Sequence, residues 1–482
     1  MMAENDIKAI FEPNSVVLIG SSEVGEDHLH AVFFRSIVQA MRRFYKGKVY
    51  VVDLSGQLED TSRNFKALPN KLDLAVLTLQ PEQVLNCARK LLGRSAIKAM
   101  VLISSGFTED QAEQLLRATV KHGIRVLGPA IVGVVNTSNG LCLMPRLRTM
   151  PRQGAISFIV VDQGIGPAML DWAHLHGIGV GKFAAIEGSV DVDTIEAMRY
   201  LAEDKSSRVI CVYAEKGSAG GRRFLQALRE VSKLKPVVAF GRDVTRVTLA
   251  RPSIWEGKIF SAALRQAGAI RAGNMQEFFD MAEALAKQPP MKGDGIAIVG
   301  TAEGPAMLAA DAVRREGFEL ARLSDGVIKS IKRRYPDVCP DNPINLGPNA
   351  GADCYEFVLG RVLRDPQVDG VMVVIGLNSC QLEPKEMGLL SDVARKVREK
   401  PIVGVTIGGD WYIAVRDVLR GTDVPVYDLP ERGVKALRAL RWYGKLIEKR
   451  NMTKGDRRVA LGNLRGIERQ NIFAYLQDNK II

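Results

Sequence analysis

Histidine, cysteine and aromatic residues are scarce in this chain, and each shortage removes a class of chemistry. The six cysteines (Cys87, Cys142, Cys211, Cys339, Cys354 and Cys380) are scattered over 482 residues with no Cys-x-x-Cys pair. That spacing argues against a cysteine metal site or a disulfide framework, so free thiols and a cytoplasmic setting are expected. Only five histidines are present: His28, His30, His122, His174 and His176. His174 and His176 sit two apart on a helical pattern and point to different faces, a poor arrangement for joint metal ligation, and no metal site is expected. No apolar run approaches the roughly 18 residues of a membrane span. The opening MMAENDIKAIFEP lacks the basic and then apolar pattern of a signal peptide. Aromatics make up 6% and do not interleave with the basic stretches, so neither nucleic acid nor a membrane is an expected partner. No paired carboxylates and no Ser/His/Asp set stand out by spacing.

Alternation is what the chain does have. Short β-rich runs at Val16–Ile19, Lys48–Val52, Leu74–Leu77, Ala99–Ile103 and Arg125–Leu127 are separated by helical patterns such as Pro81–Leu92 and Glu109–His122. That rhythm predicts an α/β fold with a parallel, doubly wound sheet in residues 1–144. A Pro/Arg/Gly-rich linker comes next at 145–154 (PRLRTMPRQG), and the alternation resumes over 155–286. A second linker, KQPPMKGD at 287–294, precedes a third unit over 295–450. The net charge of +12 is concentrated at the end, where residues 431–482 hold 13 Lys/Arg against 5 Asp/Glu. A solvated basic helix or docking surface followed by a basic tail, 451–482, is the expected form. Units two and three each open strand, turn and then Gly-Pro-Ala-Met-Leu, at Gly166–Leu170 and Gly304–Leu308, which suggests internal duplication.

One loop holds candidate chemistry, and a second is notable for lacking it. Gly20-Ser21-Ser22 leaves the first strand with small residues and backbone N–H groups suited to a pyrophosphate, although a plain steric turn reads the same way. Asp53, after the second strand, would ordinarily suggest a ribose contact. The other loop lies within Pro236–Gly268, between the strand Val237–Phe240 and a helix entered near Trp255, and has no His, Cys or Gly-rich cradle.

Specific stretches resemble the α-type half of NDP-forming acyl-CoA synthetases, the family of ADP-forming acetyl-CoA synthetase and, more distantly, succinyl-CoA ligase. They include IFEPNSVVLIGSS (Ile10–Ser22), LISSGF (Leu102–Phe107), HGIRVLGP (His122–Pro129), LDWAHLHGIGVGKF (Leu170–Phe183), FSAALRQAGAIR (Phe260–Arg271) and DNPINLG (Asp341–Gly347). The resemblance extends to about Arg450. It implies a Rossmann-like CoA-binding domain followed by two flavodoxin-like CoA-ligase domains with parallel sheets. It also implies CoA or acyl-CoA as ligand, with ATP/ADP and Mg handled only through an ATP-grasp β-type partner, in a homo- or hetero-oligomer. Residues matching the family's CoA side are Gly20, Ser21, Ser22, Ser105, Gly106, Phe107, Gly128 and Pro129, with Asp53 after the second strand; His28 and His30 lie in the loop that a CoA diphosphate would pass.

The departures are as informative as the matches. Counting back from the AALRQAG helix, the family's phosphohistidine falls on Leu249, which has no nucleophilic nitrogen. The acid that bonds that histidine in the family is retained as Glu215. The phosphate turn, Gln-Ser-Gly in the family, falls on Val161-Asp162-Gln163, so Asp162, Gln163 and Gly164 occupy it with a carboxylate where an anion would dock. The Gly-Asn turn is Glu187-Gly188, and the Asn-Pro-Lys that serves CoA is Asp53-Leu54-Ser55. Two readings are open. One is a CoA-binding chain without its own phosphohistidine, acting as a scaffold or regulator. The other is an active ligase or acyl transferase subunit working with an ATP-grasp partner by an altered mechanism.

Overall fold

The computed structural model describes residues 2–23, 28–93, 95–131, 133–162, 164–186, 188–214, 221–241, 254–376 and 381–451. The chain opens with α1 (Met2–Phe11), β1 (Ser15–Gly20), α2 (His28–Phe44), β2 (Lys48–Asp53) and β3 (Lys71–Thr78). It continues through α3 (Pro81–Leu92), β4 (Ala96–Leu102), α4 (Glu109–Val120) and β5 (Arg125–Leu127). These strands form one parallel sheet in the order β2-β1-β3-β4-β5. Its central strands are continuous apolar runs because helices cover both faces. Phe34 and Met41 pack on one side, with Val84, Leu91 and Leu115 on the other.

The next elements are β6 (Gly133–Asn136), β7 (Leu141–Cys142), β8 (Gln153–Val160), α5 (Ile165–Leu175), β9 (Val180–Ala185) and α6 (Thr194–Glu203). Then come β10 (Val209–Tyr213), α7 (Gly221–Ser232), β11 (Val237–Phe240), α8 (Ile254–Gln266), β12 (Ile270–Arg271) and α9 (Met275–Lys287). The second sheet runs β12-β11-β10-β8-β9-β6-β7. Here the structure differs from the sequence division at 144/145. The β6–β7 hairpin lies before that point, yet it pairs antiparallel along β9, from Gly133 opposite Ala185 to Asn136 opposite Lys182. An edge strand left bare is a liability, and the hairpin covers it. The Pro/Arg-rich stretch marks a loop, whereas the chain changes sheets earlier, after Leu127.

The third unit holds β13 (Gly295–Gly300), α10 (Glu303–Arg315), β14 (Glu319–Leu320), α11 (Asp325–Arg334), β15 (Ile344–Asn345), α12 (Ala352–Val362) and β16 (Gly370–Ile375). It ends with α13 (Leu389–Lys396), β17 (Ile402–Thr406), α14 (Gly409–Leu419), β18 (Val426–Tyr427) and α15 (Pro430–Asn451). Its sheet is β14-β13-β16-β17-β18, with β15 added on β13. Leaving aside added edge strands, all three sheets place the unit's first strand between its second and third. That creates a topological switch point, where open α/β sheets bind ligands at the strands' carboxyl ends.

The units share cores. One apolar cluster spans the second and third units through Phe158, Phe278, Phe279, Ala309, Val313 and Leu437. Another joins the first and second through Phe34, Val76, Ile159 and Met198. Polar clamps reinforce both seams. Arg125 on β5 grips Asp191 through Nε (2.9 Å) and Nη2 (2.9 Å) and reaches Glu196 at 2.7 Å. At the other seam, Arg432 on α15 holds buried Asp280 on α9 at 2.7 and 2.9 Å. Among the described residues, no helix is long and apolar enough to cross a membrane.

Candidate functional site

At the carboxyl end of β1, Gly20 is dictated by packing: a Cβ there would lie 2.3 Å from the Phe34 ring of α2. Ser22 and Asp53, the next residues of interest, face each other and are fully buried. Asp53 accepts six hydrogen bonds. Ser22 gives its N–H (3.0 Å) and Oγ (2.6 Å), and Ser55 gives its N–H (3.2 Å) and Oγ (2.7 Å). Gln57 and Leu58 add backbone N–H groups at 2.9 and 3.0 Å. Burial raises this carboxyl's pKa, but the bonds led by Ser22 outweigh it and hold the group well below the usual carboxylate range. A carboxylate offers about four lone-pair sites. Asp53 therefore has no acceptor capacity left for a ribose hydroxyl, which corrects that expectation. It closes the 53–58 turn onto the first strand instead. The Ser22 carbonyl is also taken, by Arg35 Nε at 2.8 Å.

The segment leaving β4 is shaped by the helix it enters. Thr108 and Gln111 form a reciprocal capping box at the start of α4. Phe107 packs into the core on one face of the first sheet, Gly106 takes φ +85°, and Ser105 is exposed. Gly128, at φ +114°, has no room for a side chain, since a Cβ would meet the Leu102 carbonyl oxygen at 2.5 Å. Its N–H reaches Ser189 Oγ at 3.0 Å and its carbonyl accepts from the Val190 N–H at 3.0 Å. The Gly128-Pro129 turn thus stitches the first unit to the second.

The start of α5 carries a decisive contact. Asp162 Oδ1 accepts the N–H groups of Gly164 (2.7 Å) and Ile165 (2.8 Å). Those are among the unpaired donors that make a helix N-terminus an anion site. The protein's own carboxylate occupies them.

Between these features lies a cleft of about 680 Å³. It brings Ser105 from the first sheet and Gly164 from the second unit into one space. Leu29 and Phe33 of α2, with Ile103 and Ile131, give it apolar walls, and Arg146 and Arg148 lie at its rim. Among the described residues, Asp171 is the one carboxylate in the lining. The buried Ser22–Asp53 pair does not line it. Arg146 and Arg148 read in sequence only as a basic linker; their approach to α2 depends on the path of the chain into β8. His174 is exposed in the last turn of α5, while His176 leaves the helix and stacks on Trp172, with ring centroids 4.3 Å apart. Gln163, Glu187, Glu215 and Leu249 lie outside the described residues.

Known proteins match this arrangement. Residues 153–285 fit the family described as succinyl-CoA ligase like flavodoxin domain. The α subunit of an ADP-forming acetate–CoA ligase I from Pyrococcus furiosus is 29% identical over 469 residues, covering 92% of this chain and 100% of that one. A 4-hydroxybutyrate–CoA ligase (ADP-forming) from Nitrosopumilus maritimus is 26% identical, over 89% of this chain and 63% of its own length. Among solved structures, a Pyrococcus horikoshii OT3 protein has a TM-score of 0.80 at 25% identity, covering 91% of this chain and 99% of its own. A dinucleotide-forming acetyl-coenzyme A synthetase 1 from Ca. Korarchaeum cryptofilum, solved with phosphate and ADP, also has a TM-score of 0.80, at 23% identity, covering 93% of this chain and 100% of its own. The chain therefore carries a succinyl-CoA ligase like flavodoxin domain, with the cleft between its first and second units. More narrowly, it is a homologue of the α subunits of ADP-forming acetate–CoA ligases.

Proposed function

We propose that this is a cytoplasmic, acyl-CoA-binding α-type chain that forms no phosphoenzyme of its own and works as a regulatory or scaffold subunit beside an ATP-grasp β-type partner. One observation carries the reading: Asp162 Oδ1 holds the N–H groups of Gly164 and Ile165. A phosphoryl group approaching that helix end would meet a negative charge and donors already in use. Leu249 at the phosphohistidine position points the same way. The apolar cleft supports the acyl-CoA half of the proposal: Leu29, Phe33, Ile103 and Ile131 suit a pantetheine arm, and Ser105 offers a hydroxyl at its edge. CoA would supply a thiol for thioester chemistry, while ATP, ADP and Mg would stay with the partner. An altered-mechanism ligase using Asp162 is less favoured, because the Oδ1 atom is engaged twice; Glu215 would have to serve alone.

Two measurements test this. With an ATP-grasp β-type subunit, Mg and γ-³²P-ATP, the chain is expected to acquire no acid-labile phosphate; label on a histidine would overturn the non-phosphorylated reading. Calorimetry is expected to show CoA and acetyl-CoA binding. Silence up to about 1 mM, or roughly −4 kcal/mol, would remove the ligand half and leave a scaffold.

A further inference from the structure

A second cavity, of about 590 Å³, shares the 146–148 segment with the cleft. Its walls are the later half of α2, with Ser36, Gln39, Arg43 and Phe44, and the strap Arg146-Leu147-Arg148. The strap is fixed in shape. Leu147 packs against the core, and the Arg146 N–H donates to Ser36 Oγ at 2.7 Å. Arg146 itself holds φ +61°, a left-handed conformation unfavourable for a residue with a Cβ. The result is two exposed arginines flanking an inward leucine, opposite a third arginine, Arg43, whose guanidinium lies 5.1 Å from the centroid of the Phe44 ring.

Among the described residues, no carboxylate lines this cavity and none of the three guanidiniums meets one. Arginines at the seams of this molecule are paired: Arg125 with Asp191 and Glu196, Arg432 with Asp280 and Asp428, Arg441 with Asp294 and Glu448. Three like charges around one concavity, on a strap held in a strained conformation, form an uncompensated cationic pocket. Guanidinium forks match phosphate oxygens two at a time, and three of them match the charge and span of two linked phosphates better than one.

We propose that the groove between α2 and the 146–148 strap is a binding site for a diphosphate group. It shares only the 146–148 strap with the acyl-CoA cleft and does not rest on that assignment. The source is either a free diphosphate or the diphosphate of a larger ligand that crosses the shared strap.

Inorganic pyrophosphate is the probe, titrated calorimetrically into the full chain at low salt. Saturable binding is expected, at least tenfold tighter than orthophosphate and weakening as salt rises. The double variant R43S/R148S is expected to lose at least tenfold in pyrophosphate affinity. Phe33→Ala, in the other cleft, is expected to leave pyrophosphate binding unchanged while weakening CoA. Displacement of pyrophosphate by CoA would assign the diphosphate to CoA; simultaneous binding would assign it to a free ligand; both support the site. No saturation up to about 1 mM, or equal affinity in the arginine variant, would overturn the proposal and leave the groove to an acidic protein surface. All three arginines are exposed, so unfolding of the variant is not expected, and its thermal transition checks this.

Discussion

Asp162 and Asp53 do the same physical work at two strand ends, each meeting backbone N–H groups that a ligand might otherwise use. Asp162 takes two such donors at the start of α5, and Asp53 takes four among its six. Their consequences differ because Asp162 sits two residues before a cleft-lining glycine, whereas Asp53 is sealed away. Asp162→Ala should therefore move two properties in opposite directions. Alanine removes both the negative charge and the acceptor and leaves the helix end open to anions, so orthophosphate affinity should rise by about tenfold or more, or ~1.4 kcal/mol. The lost cap should cost about 1 kcal/mol of stability. Phosphate titration beside urea unfolding reads both, and unchanged phosphate binding would show that Asp162 is not what blocks the site. This contact was legible in sequence, because an acid just before an apolar helix has few other uses. Asp53 was not: its role depends on Ser22, 31 positions earlier, and only folding brings the two together.

Helices α5 and α10 show how far a motif can be read. Both begin after the first strand of their unit, and both contain Gly-Pro-Ala-Met-Leu. Yet α5 buries Gly166, Met169, Leu170 and Ala173, while α10 buries Ala306, Ala309, Ala310 and Val313. The buried stripes are two positions out of phase, about 200° at 3.6 residues per turn, so the same pentapeptide turns opposite faces to its sheet. The strands and the order of units followed from periodicity, since runs such as Val16–Ile19 have only one place to go. The face presented by α10 did not, because small alanines let it pack closely while Met307 and Leu308 stay out, 45% and 52% exposed. The β6–β7 hairpin was illegible for a related reason: its few apolar residues gain meaning only against the edge of β9. A paired substitution tests the phase difference. Leu170→Ala should cost about 3 kcal/mol, the usual penalty for a buried leucine, whereas Leu308→Ala should stay within about 0.5 kcal/mol. Equal costs in chemical denaturation would contradict the opposite-face arrangement.

For the whole molecule, the seams between units matter as much as the units, because cores and ion pairs run across them. The most buried charge among these is Lys182 on β9, with a side chain 2% exposed. It binds Asp204 at 2.8 Å and, at 3.0 Å, Glu12, which directly follows α1, so the amino-terminal segment is tied to the second sheet. Tyr200 adds a hydrogen bond to the same Glu12 at 3.0 Å and stacks on Phe11 with ring centroids 4.8 Å apart. Burial raises the Asp204 pKa, but bonds from Lys182, Ser207 and Ser206 prevail and bring it down to about 2, against an ordinary value near 3.8. A carboxyl depressed in the folded state stabilises fully above its unfolded pKa and loses that contribution as pH falls through the folded one. The window is therefore roughly pH 4 to 2, and the contribution is about 2 kcal/mol. Asp204→Asn should lose at least that at pH 7, since Lys182 would remain buried with only Glu12 as counter-charge. It should also flatten the acid limb between pH 4 and 2, and amide exchange in α1 should quicken, because the anchor of that helix loosens first. If the variant matched the parent in urea midpoint at pH 7 and in α1 exchange, the clamp would be decorative, and the apolar seam of Phe11, Val134 and Met198 would have to hold the first two units together unaided.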